Sequence, residues 1–267
     1  MDKIKHKKSL GQNFLIDESV SQRIAEAPDI QKGDYLIEIG PGTGALTKYL
    51  IDLTDDLVCI EIDQRAVRIL EKKYPKLKII NIDILKQDIS ELLNDSKQAK
   101  IIGNLPYYIS TQIIFKLLEH SDRIESFTFM IQKELADRIV SGPNCREYGI
   151  LTLAIMMCGT AEKLFDVPAS AFKPPPKVTS SVVKITFDKG KFDYKLHKFI
   201  KASFNNRRKK LSNSIKSYFN SKEDYKQFVD DPSLDKNIKE MLNLRAENLT
   251  LEDFKLLYES VTERNIG

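Results

Sequence analysis

The sequence predicts an α/β fold in which a mostly parallel sheet of seven strands is followed by a small all-helical domain. Three observations support this prediction. Short apolar runs alternate with helical patterns over the first part of the chain, as in parallel sheets that carry helices on both faces. A Gly-Pro-Gly turn directly follows the first of these runs. From Tyr194 onward the apolar spacing is helical throughout.

Seven runs have the length and apolar content of strands: Asp34–Ile39, Asp56–Ile62, Leu77–Ile84, Lys100–Ile102, Glu125–Gln132, Lys163–Val167 and Val178–Phe187. The helical spacing between them predicts helices at Ala45–Leu53, Gln64–Lys73, Thr111–Glu119 and Tyr148–Cys158.

Three further helices are predicted in the C-terminal part of the chain. Their apolar faces run from Leu196 to Phe204, from Leu211 to Phe219, and along a last helix that Thr250 would cap. Asp253 lies at the capping-box distance from Thr250. Because the pattern changes around Gly190, we expect one domain at residues 1–189 and a second, helical domain at residues 190–267.

The composition of the chain argues against several classes of protein. The chain has 267 residues, of which 42% are apolar, and it contains no run near the length of a membrane span. Its basic N-terminus lacks the apolar segment of a secretory signal. The three cysteines and three histidines are widely spaced, so neither a disulfide framework nor a metal site is predicted. We therefore expect a soluble, cytoplasmic and monomeric protein.

Basic residues are unevenly distributed, although the net charge is only +4. No acidic residue occurs between Tyr194 and Lys222. This helical region and the N-terminus predict polyanion-facing patches, with a solvated helix face as the alternative reading. The residues predicted to bind RNA phosphates are Lys3, Lys5, Lys7, Lys8, Arg207, Arg208, Lys209 and Lys210.

The glycine turn and the acids after the next two strands indicate a nucleoside cofactor. Gly40 and Gly42 would let the backbone approach the ligand, Glu61 would accept from ribose hydroxyls, and Asp83 would reach an adenine amine. This set fits either NAD or S-adenosylmethionine. Glu38, two residues before the first glycine, and the lack of a further glycine in the following helix favour S-adenosylmethionine.

The segment Asn104–Tyr107 follows the fourth strand and predicts the site of reaction. The adenine N6 lone pair is delocalised into the ring, so the amine is a poor nucleophile. The Asn104 side chain and the Leu105 carbonyl could both accept from this amine and localise the lone pair, while Pro106 stiffens the turn. Tyr107 would stack on the flipped base, with Phe172 as a candidate second wall. Ordinary loop packing is the alternative for Phe172.

Five blocks of sequence together resemble the ribosomal RNA adenine N6,N6-dimethyltransferases, and in particular the bacterial small-subunit enzymes whose loss gives kasugamycin resistance. They are KSLGQNFL (Lys8–Leu15), EIGPGTGALT (Glu38–Thr47), GNLPYYIST (Gly103–Thr111), FKPPPKVTSSV (Phe172–Val182) and FNNRRKKL (Phe204–Leu211).

The resemblance implies a class I, Rossmann-like methyltransferase fold. It also implies dimethylation of two adjacent adenines in a hairpin loop near the 3′ end of 16S rRNA, during assembly of the 30S subunit. The cofactor positions that it carries to this chain are Asn13, Leu15, Gly40, Glu61, Asp83 and Asn104.

Three other functions remain open at this point. A 23S rRNA adenine methyltransferase of the macrolide-resistance type would share the glycine turn and the Asn-x-Pro-Tyr segment. A DNA adenine methyltransferase is a second enzymatic alternative. A ribosome-assembly checkpoint factor with a vestigial cofactor site is the alternative from outside enzyme chemistry.

Overall fold

The structure, a computed structural model of the chain, describes residues 13–93, 97–188 and 190–263. The chain divides into two compact units. The first contains the described residues up to Asp137 together with Cys158–Lys191, and the second contains Arg138–Met157 together with the described residues from Phe192 onward.

A seven-stranded sheet forms the centre of the first unit. Numbered along the chain, the strands of this unit are β1 (Phe14–Leu15), β2 (Tyr35–Ile39), β3 (Asp56–Ile60), β4 (Lys78–Ile80), β5 (Ala99–Asn104), β6 (Ile124–Gln132), β7 (Gly159–Val167), β8 (Phe172–Lys173) and β9 (Ser180–Phe187). The large sheet has the order β4-β3-β2-β5-β6-β9-β7. Strands β2 to β6 are parallel, whereas β9 runs antiparallel to both of its neighbours. The predicted mostly parallel, seven-stranded sheet is confirmed.

The parallel strands end earlier than their apolar runs. We predicted strands that reach Ile62 and Ile84, but pairing between β3 and β4 stops at Ile60 and Ile80. Beyond this point the two segments are joined by a side-chain hydrogen bond: the Asn81 side chain donates to the Glu61 carbonyl oxygen at 2.6 Å. The apolar residues that follow therefore belong to loops and not to the sheet.

The helices of the chain are α1 (Glu18–Glu26), α2 (Thr47–Leu50), α3 (Gln64–Lys73), α4 (Ser110–Leu118), α5 (Lys133–Ile139), α6 (Ile150–Met156), α7 (Tyr194–Ser203), α8 (Leu211–Ser214), α9 (Lys222–Val229), α10 (Lys236–Asn243) and α11 (Leu251–Thr262). None of those in the described part of the chain is long and apolar enough to cross a membrane.

Helix α3 has its predicted bounds, whereas α2 is shorter than the predicted Ala45–Leu53 because the flanking turns are tighter than an α-helix. The Leu53 N–H, for example, donates to the Leu50 carbonyl oxygen three residues earlier, at 3.1 Å. Sequence reasoning missed α1. Its signal was Asp17, whose side chain accepts from the Val20 N–H as an N-cap.

Strands β1 and β8 form a separate two-stranded antiparallel sheet, with Leu15 opposite Phe172. Both side chains are buried in the hydrophobic core of the first unit. This pairing fixes Phe14 and Leu15 against the segment that precedes the proline-rich loop.

The second unit is helical in its described residues and has its own hydrophobic core, which includes Phe199, Phe228 and Phe254. Its bounds differ from the single boundary expected near Gly190, because Arg138–Met157 belongs to it as well. Tyr148 from that segment is fully buried in this core, and its hydroxyl donates to the Leu249 carbonyl oxygen at 3.0 Å.

Two details of the second unit bear on the sequence predictions. The capping box at the start of α11 is confirmed, since Thr250 and Asp253 each accept from the other's backbone N–H. The basic group at residues 207–210 was expected to be helical, but it is not. It lies on turns between α7 and α8.

Candidate active site

A cavity of about 270 Å³ opens at the carboxyl ends of β2, β3 and β5 in the first unit. Strands β2 and β5 are neighbours at the point where the strand order reverses, which is where ligands bind in open α/β sheets. The cavity brings together residues from five separate segments of sequence. Those that were predicted to bind cofactor or base and that line it are Asn13, Leu15, Gly40, Gly42, Glu61, Asp83, Asn104, Leu105, Pro106 and Tyr107.

The glycine turn has a backbone that requires glycine. The φ angles of Gly40, Gly42 and Gly44 are 68°, 57° and 89°, in the left-handed region that other residues rarely adopt. The Gly40 N–H donates to the Ile60 carbonyl oxygen at 2.9 Å, which holds the turn against the end of β3. At Gly40 and Gly42 the turn therefore presents bare backbone to the cavity.

Glu61 is a buried carboxylate that faces this turn. Its two oxygens accept from the backbone N–H groups of Gly42 at 2.9 Å and Asp63 at 2.8 Å. Burial raises the pKa of Glu61, and these two N–H donors act in the opposite direction. No cation pairs with this carboxylate among the described residues, so its remaining lone pairs can accept from hydroxyl groups of a ligand.

Asp83 lies in the loop beyond β4, and its side chain accepts from the Leu85 N–H at 3.0 Å. The sequence placed this aspartate at the end of a strand. The structure places it in a turn that forms part of the cavity wall.

Glu38 lies at the floor of the cavity and is almost completely buried. Its Oε2 accepts from the Thr47 hydroxyl at 2.7 Å, which links the end of β2 to the start of α2 across the glycine turn. Burial, with a smaller contribution from the nearby Glu61, raises the pKa of Glu38 to about 7 against the opposing hydrogen bonds from Thr47 and Cys59. The hydrogen bond between Glu38 and Thr47 stabilises the glycine turn.

Asn104 ends β5 beside the glycine turn. The strand before it can approach β2 closely because Gly103 has no side chain: a Cβ there would lie 2.6 Å from the Ile39 carbonyl oxygen. A Cβ on Gly40 would lie 3.7 Å from the main-chain oxygen of Asn104. The close approach places Asn104 within the cavity wall between the glycine turn and the segment that follows it.

The turn after Asn104 holds two acceptors at the cavity. The Leu105 N–H donates to the Met130 carbonyl oxygen at 3.2 Å. Within the described residues, no hydrogen bond reaches the side-chain oxygen of Asn104 or the main-chain oxygen of Leu105. Tyr107 is oriented by a 2.6 Å hydrogen bond between its hydroxyl and that of the buried Ser180, and burial raises the pKa of its phenol.

The N-terminal side of the cavity is formed by β1. The Asn104 side-chain amide donates to the Asn13 carbonyl oxygen at 3.4 Å. Phe14, which sequence reasoning missed, lines the cavity beside Leu15, and its ring carbons lie 3.6 Å from where a Cβ on Gly42 would be. The aromatic residue at the centre of QNFL was the available signal.

Comparison with known proteins assigns the chain to a family. The model of the family described as ribosomal RNA adenine dimethylase matches residues 3–252. The chain belongs to the ribosomal RNA adenine dimethylase family. It is therefore an enzyme of the methyltransferase class.

Similar proteins match nearly the whole length of the chain. The ribosomal RNA small subunit methyltransferase A of Streptococcus thermophilus is 38% identical over 97% of this chain and 93% of its own length. Its namesake in Francisella tularensis subsp. novicida is 42% identical over 94% of this chain and 96% of its own. Among solved structures, a dimethyladenosine transferase from Plasmodium falciparum is 25% identical, with a TM-score of 0.79 over 95% of this chain and 98% of its own. The 23S rRNA methyltransferase ErmE shares the fold at 22% identity and a TM-score of 0.68, over 94% of this chain and 100% of its own.

One predicted base-stacking residue of this dimethylase is corrected by the structure. Phe172 was expected to form a second wall for the base, but it is only 3% exposed and packs in the hydrophobic core. Its pairing with Leu15 in the small sheet turns the ring inward. Tyr108, which sequence reasoning passed over, lines the cavity and is 59% exposed.

The structure describes only some of the predicted RNA-binding residues. Lys3, Lys5, Lys7 and Lys8 lie outside the described residues. The side chains of Arg208, Lys209 and Lys210 are exposed, and the Lys210 ammonium donates to Asn243 at 3.0 Å.

Arg207 makes hydrogen bonds within the protein that its predicted role in RNA binding did not anticipate. Its guanidinium donates to Glu247 at 2.8 Å and to the Tyr148 carbonyl oxygen at 2.7 Å, so it ties parts of the second unit together. These internal bonds occupy two of its three guanidinium nitrogens, Nε and Nη2.

Proposed function

We propose that the chain dimethylates the N6 amines of two adjacent adenines in the 3′-terminal hairpin loop of 16S rRNA, with S-adenosylmethionine as methyl donor. The substrate would be the 30S subunit or its precursor, and we expect the enzyme to act as a monomer in the cytoplasm. The observation that carries the proposal is the single cavity shared by Glu61 and Asn104. One of these residues suits a nucleoside cofactor and the other suits an aromatic amine.

The residues of the cavity fit S-adenosylmethionine. The buried Glu61 carboxylate keeps acceptor capacity for ribose hydroxyls after binding its two backbone N–H groups. The glycine turn leaves room for a ligand to approach the backbone, and Asp83 offers a further acceptor for an amine. Phe14 and Leu15 would cover the donor from the side of β1.

The chemistry needs little more from the protein than orientation. When bound, S-adenosylmethionine supplies a methyl group already activated on a sulfonium. In the first transfer, the Asn104 side-chain oxygen and the Leu105 carbonyl would accept hydrogen bonds from the two N–H groups of the target amine and draw the nitrogen toward tetrahedral geometry. In the second transfer, the monomethylated amine has one N–H group left to donate. Tyr107, held by Ser180, would stack on the base that has left its helix. A strong general base is not required, because the proton can leave after the methyl group has been transferred.

The substrate assignment rests on the similarity to enzymes named for the small subunit, which are about 40% identical, against 22% for the 23S enzyme. The decisive experiment offers labelled methyl donor with undermethylated 30S subunits, 23S rRNA and duplex DNA in parallel. We expect label in the 30S subunits alone. Label confined to 23S rRNA or DNA would overturn the substrate, and no label in any of the three would overturn the proposed activity.

The role of Asn104 is tested by Asn104→Ala. We expect the variant to bind the methyl donor with nearly unchanged affinity and to lose almost all methyl transfer. The matched control is Asn220→Ala, because Asn220 is an exposed asparagine outside the cavity. Normal turnover by Asn104→Ala would refute the role in activating the amine.

We propose that Arg208, Lys209 and Lys210 bind phosphates of the RNA. Their exposure on one short turn supports this role, and phosphate contacts supply affinity without reading sequence. Reversing all three charges should weaken binding to 30S subunits and flatten its salt dependence. The control Lys236→Glu changes an exposed lysine on α10 of the same unit. Equal salt dependence in the triple variant and the wild type would contradict the assignment.

A further inference from the structure

Tyr108 is an aromatic residue that the proposed reaction leaves without a role. Its side chain is 59% exposed, yet it forms part of the wall of the catalytic cavity. A residue that both lines a cavity and faces solvent lies at the cavity mouth. Among the described residues, no hydrogen bond, ion pair or ring contact involves Tyr108, whereas the neighbouring Tyr107 is bound to Ser180.

The backbone beneath Tyr108 is firmly held. The Pro106 carbonyl oxygen accepts from the Ile109 N–H at 3.2 Å and from the Ser110 hydroxyl at 2.9 Å, which closes the turn directly onto helix α4. Proline also fixes the first φ angle of the turn. The ring of Tyr108 is therefore presented from a rigid support, and little backbone entropy would be lost when a ligand binds to it.

A second apolar side chain lies at the same cavity. Ile62, after β3, lines the wall and is 49% exposed. The wall of the cavity therefore carries two large apolar side chains that remain open to water. Tyr108 differs from Ile62 in offering a flat π-face, and a nucleobase is the ligand chemistry that such a face suits.

We infer that Tyr108 forms a second base-binding subsite at the mouth of the cavity, where it stacks on the nucleobase next to the target adenine. The inference rests on the proposed function, since it needs an RNA substrate with an unpaired neighbour. A base that flips into the cavity leaves the adjoining base with one face unstacked. The ring of Tyr108 replaces that lost contact. Within the adenine pair, the occupant is the second adenine while the first one reacts.

The kinetic test compares Tyr108→Leu with Tyr108→Phe on undermethylated 30S subunits. Leucine keeps apolar bulk but has no aromatic face, so KM for the subunit should rise about 5- to 30-fold, in the lower part of the range for base–aromatic stacking because the ring stays partly solvated. Phenylalanine keeps the face and should restore the low KM. Both variants should keep the wild-type KM for the methyl donor and the wild-type unfolding midpoint.

Other kinetic outcomes overturn the inference. An unchanged subunit KM in Tyr108→Leu would show that the ring contacts no base. A rise in the donor KM would assign the ring to the cofactor, and a fall in kcat alone would assign it to the chemical step. If the wild type itself fails to methylate the subunits, the proposed function fails; if only the Tyr108 effect is missing, the subsite alone fails.

A direct spectroscopic test is available because the chain contains no tryptophan. Tyr108→Trp introduces a single indole at the proposed subsite. Its fluorescence should be quenched by a hairpin RNA with two adjacent unpaired adenines, at concentrations where filter binding shows saturation. Unchanged emission at saturation would overturn the inference. The same RNA with an abasic site in place of the neighbour should bind with much weaker quenching, and equal quenching would also contradict it.

Discussion

Glu38→Gln tests the interpretation of the carboxyl group beneath the glycine turn. Glu38 is fully buried in the floor of the cavity, and its carboxyl group accepts from Thr47 while Glu61 lies near enough to repel its charge. Burial therefore favours the protonated form in the folded protein. Glutamine has nearly the same shape and no charge, so the substitution removes the titration and leaves the packing almost unchanged.

The size of the effect follows from the pKa of Glu38, which burial raises from its ordinary value of 4.5 to about 7. The folded protein then holds this proton more tightly than the unfolded chain. The stability that the protonated group contributes is complete below about pH 4.5 and is lost as pH rises through about 7. Between pH 5 and pH 8, the wild type should lose about 2–3 kcal/mol of unfolding free energy relative to Glu38→Gln.

The assay is urea unfolding of both proteins at pH 5 and pH 8, with the exposed Glu71→Gln as the control for removing one carboxylate. The change in the difference between variant and wild type is the quantity to compare. A constant cost from an imperfectly bonded glutamine amide cancels in that comparison. The interpretation of a buried carboxyl group with a raised pKa would be refuted by either of two results. The difference in unfolding free energy could be the same at both pH values, or the wild type could become more stable relative to the variant as pH rises.

Three further outcomes are expected. Ser180→Ala and Tyr107→Phe remove the same 2.6 Å hydrogen bond, so each should lower kcat/KM about 3- to 10-fold, and a double-mutant cycle should find the double variant no worse than either single one. Gly103→Ala places a methyl group 2.6 Å from a β2 carbonyl oxygen and should cost about 2 kcal/mol or more in urea unfolding; wild-type stability would contradict the close approach. Arg207→Ala loses its bonds to Glu247 and to a backbone carbonyl oxygen, so it should cost about 1–2 kcal/mol of stability, and an effect only on the salt dependence of RNA binding would contradict this.

The elements that could be predicted from the sequence are those that local signals determine. Helix α3 has the predicted bounds Gln64–Lys73 because its apolar spacing and its Asp63 cap act over a few residues. The capping box of α11 is equally local. The sheet followed from continuous apolar runs, since strands buried on both faces need apolar residues at nearly every position. The cavity residues followed from the rule that parallel strands place their carboxyl ends at one edge.

The features that could not be predicted depend on distant contacts. Phe172 sits in a two-residue strand, which is too short for alternation to show which face is buried. Arg207 belongs to a basic cluster in sequence, but its main partner Glu247 is 40 residues away. Tyr107 and Tyr108 are adjacent tyrosines in the sequence. Only the hydrogen bond to Ser180 distinguishes the anchored ring from the open one.

The split composition of the second unit has a consequence for how the chain is made. Its core combines Tyr148 and Leu153, from Arg138–Met157, with side chains of the helices after Phe192. During translation, the earlier segment leaves the ribosome while the helices that will cover it have not yet been synthesised. Its apolar side chains therefore stay without their packing partners until the chain has been synthesised beyond Cys158–Lys191, and exposed apolar surface of this kind favours aggregation. A protein ending before Phe192 would keep that exposed surface permanently.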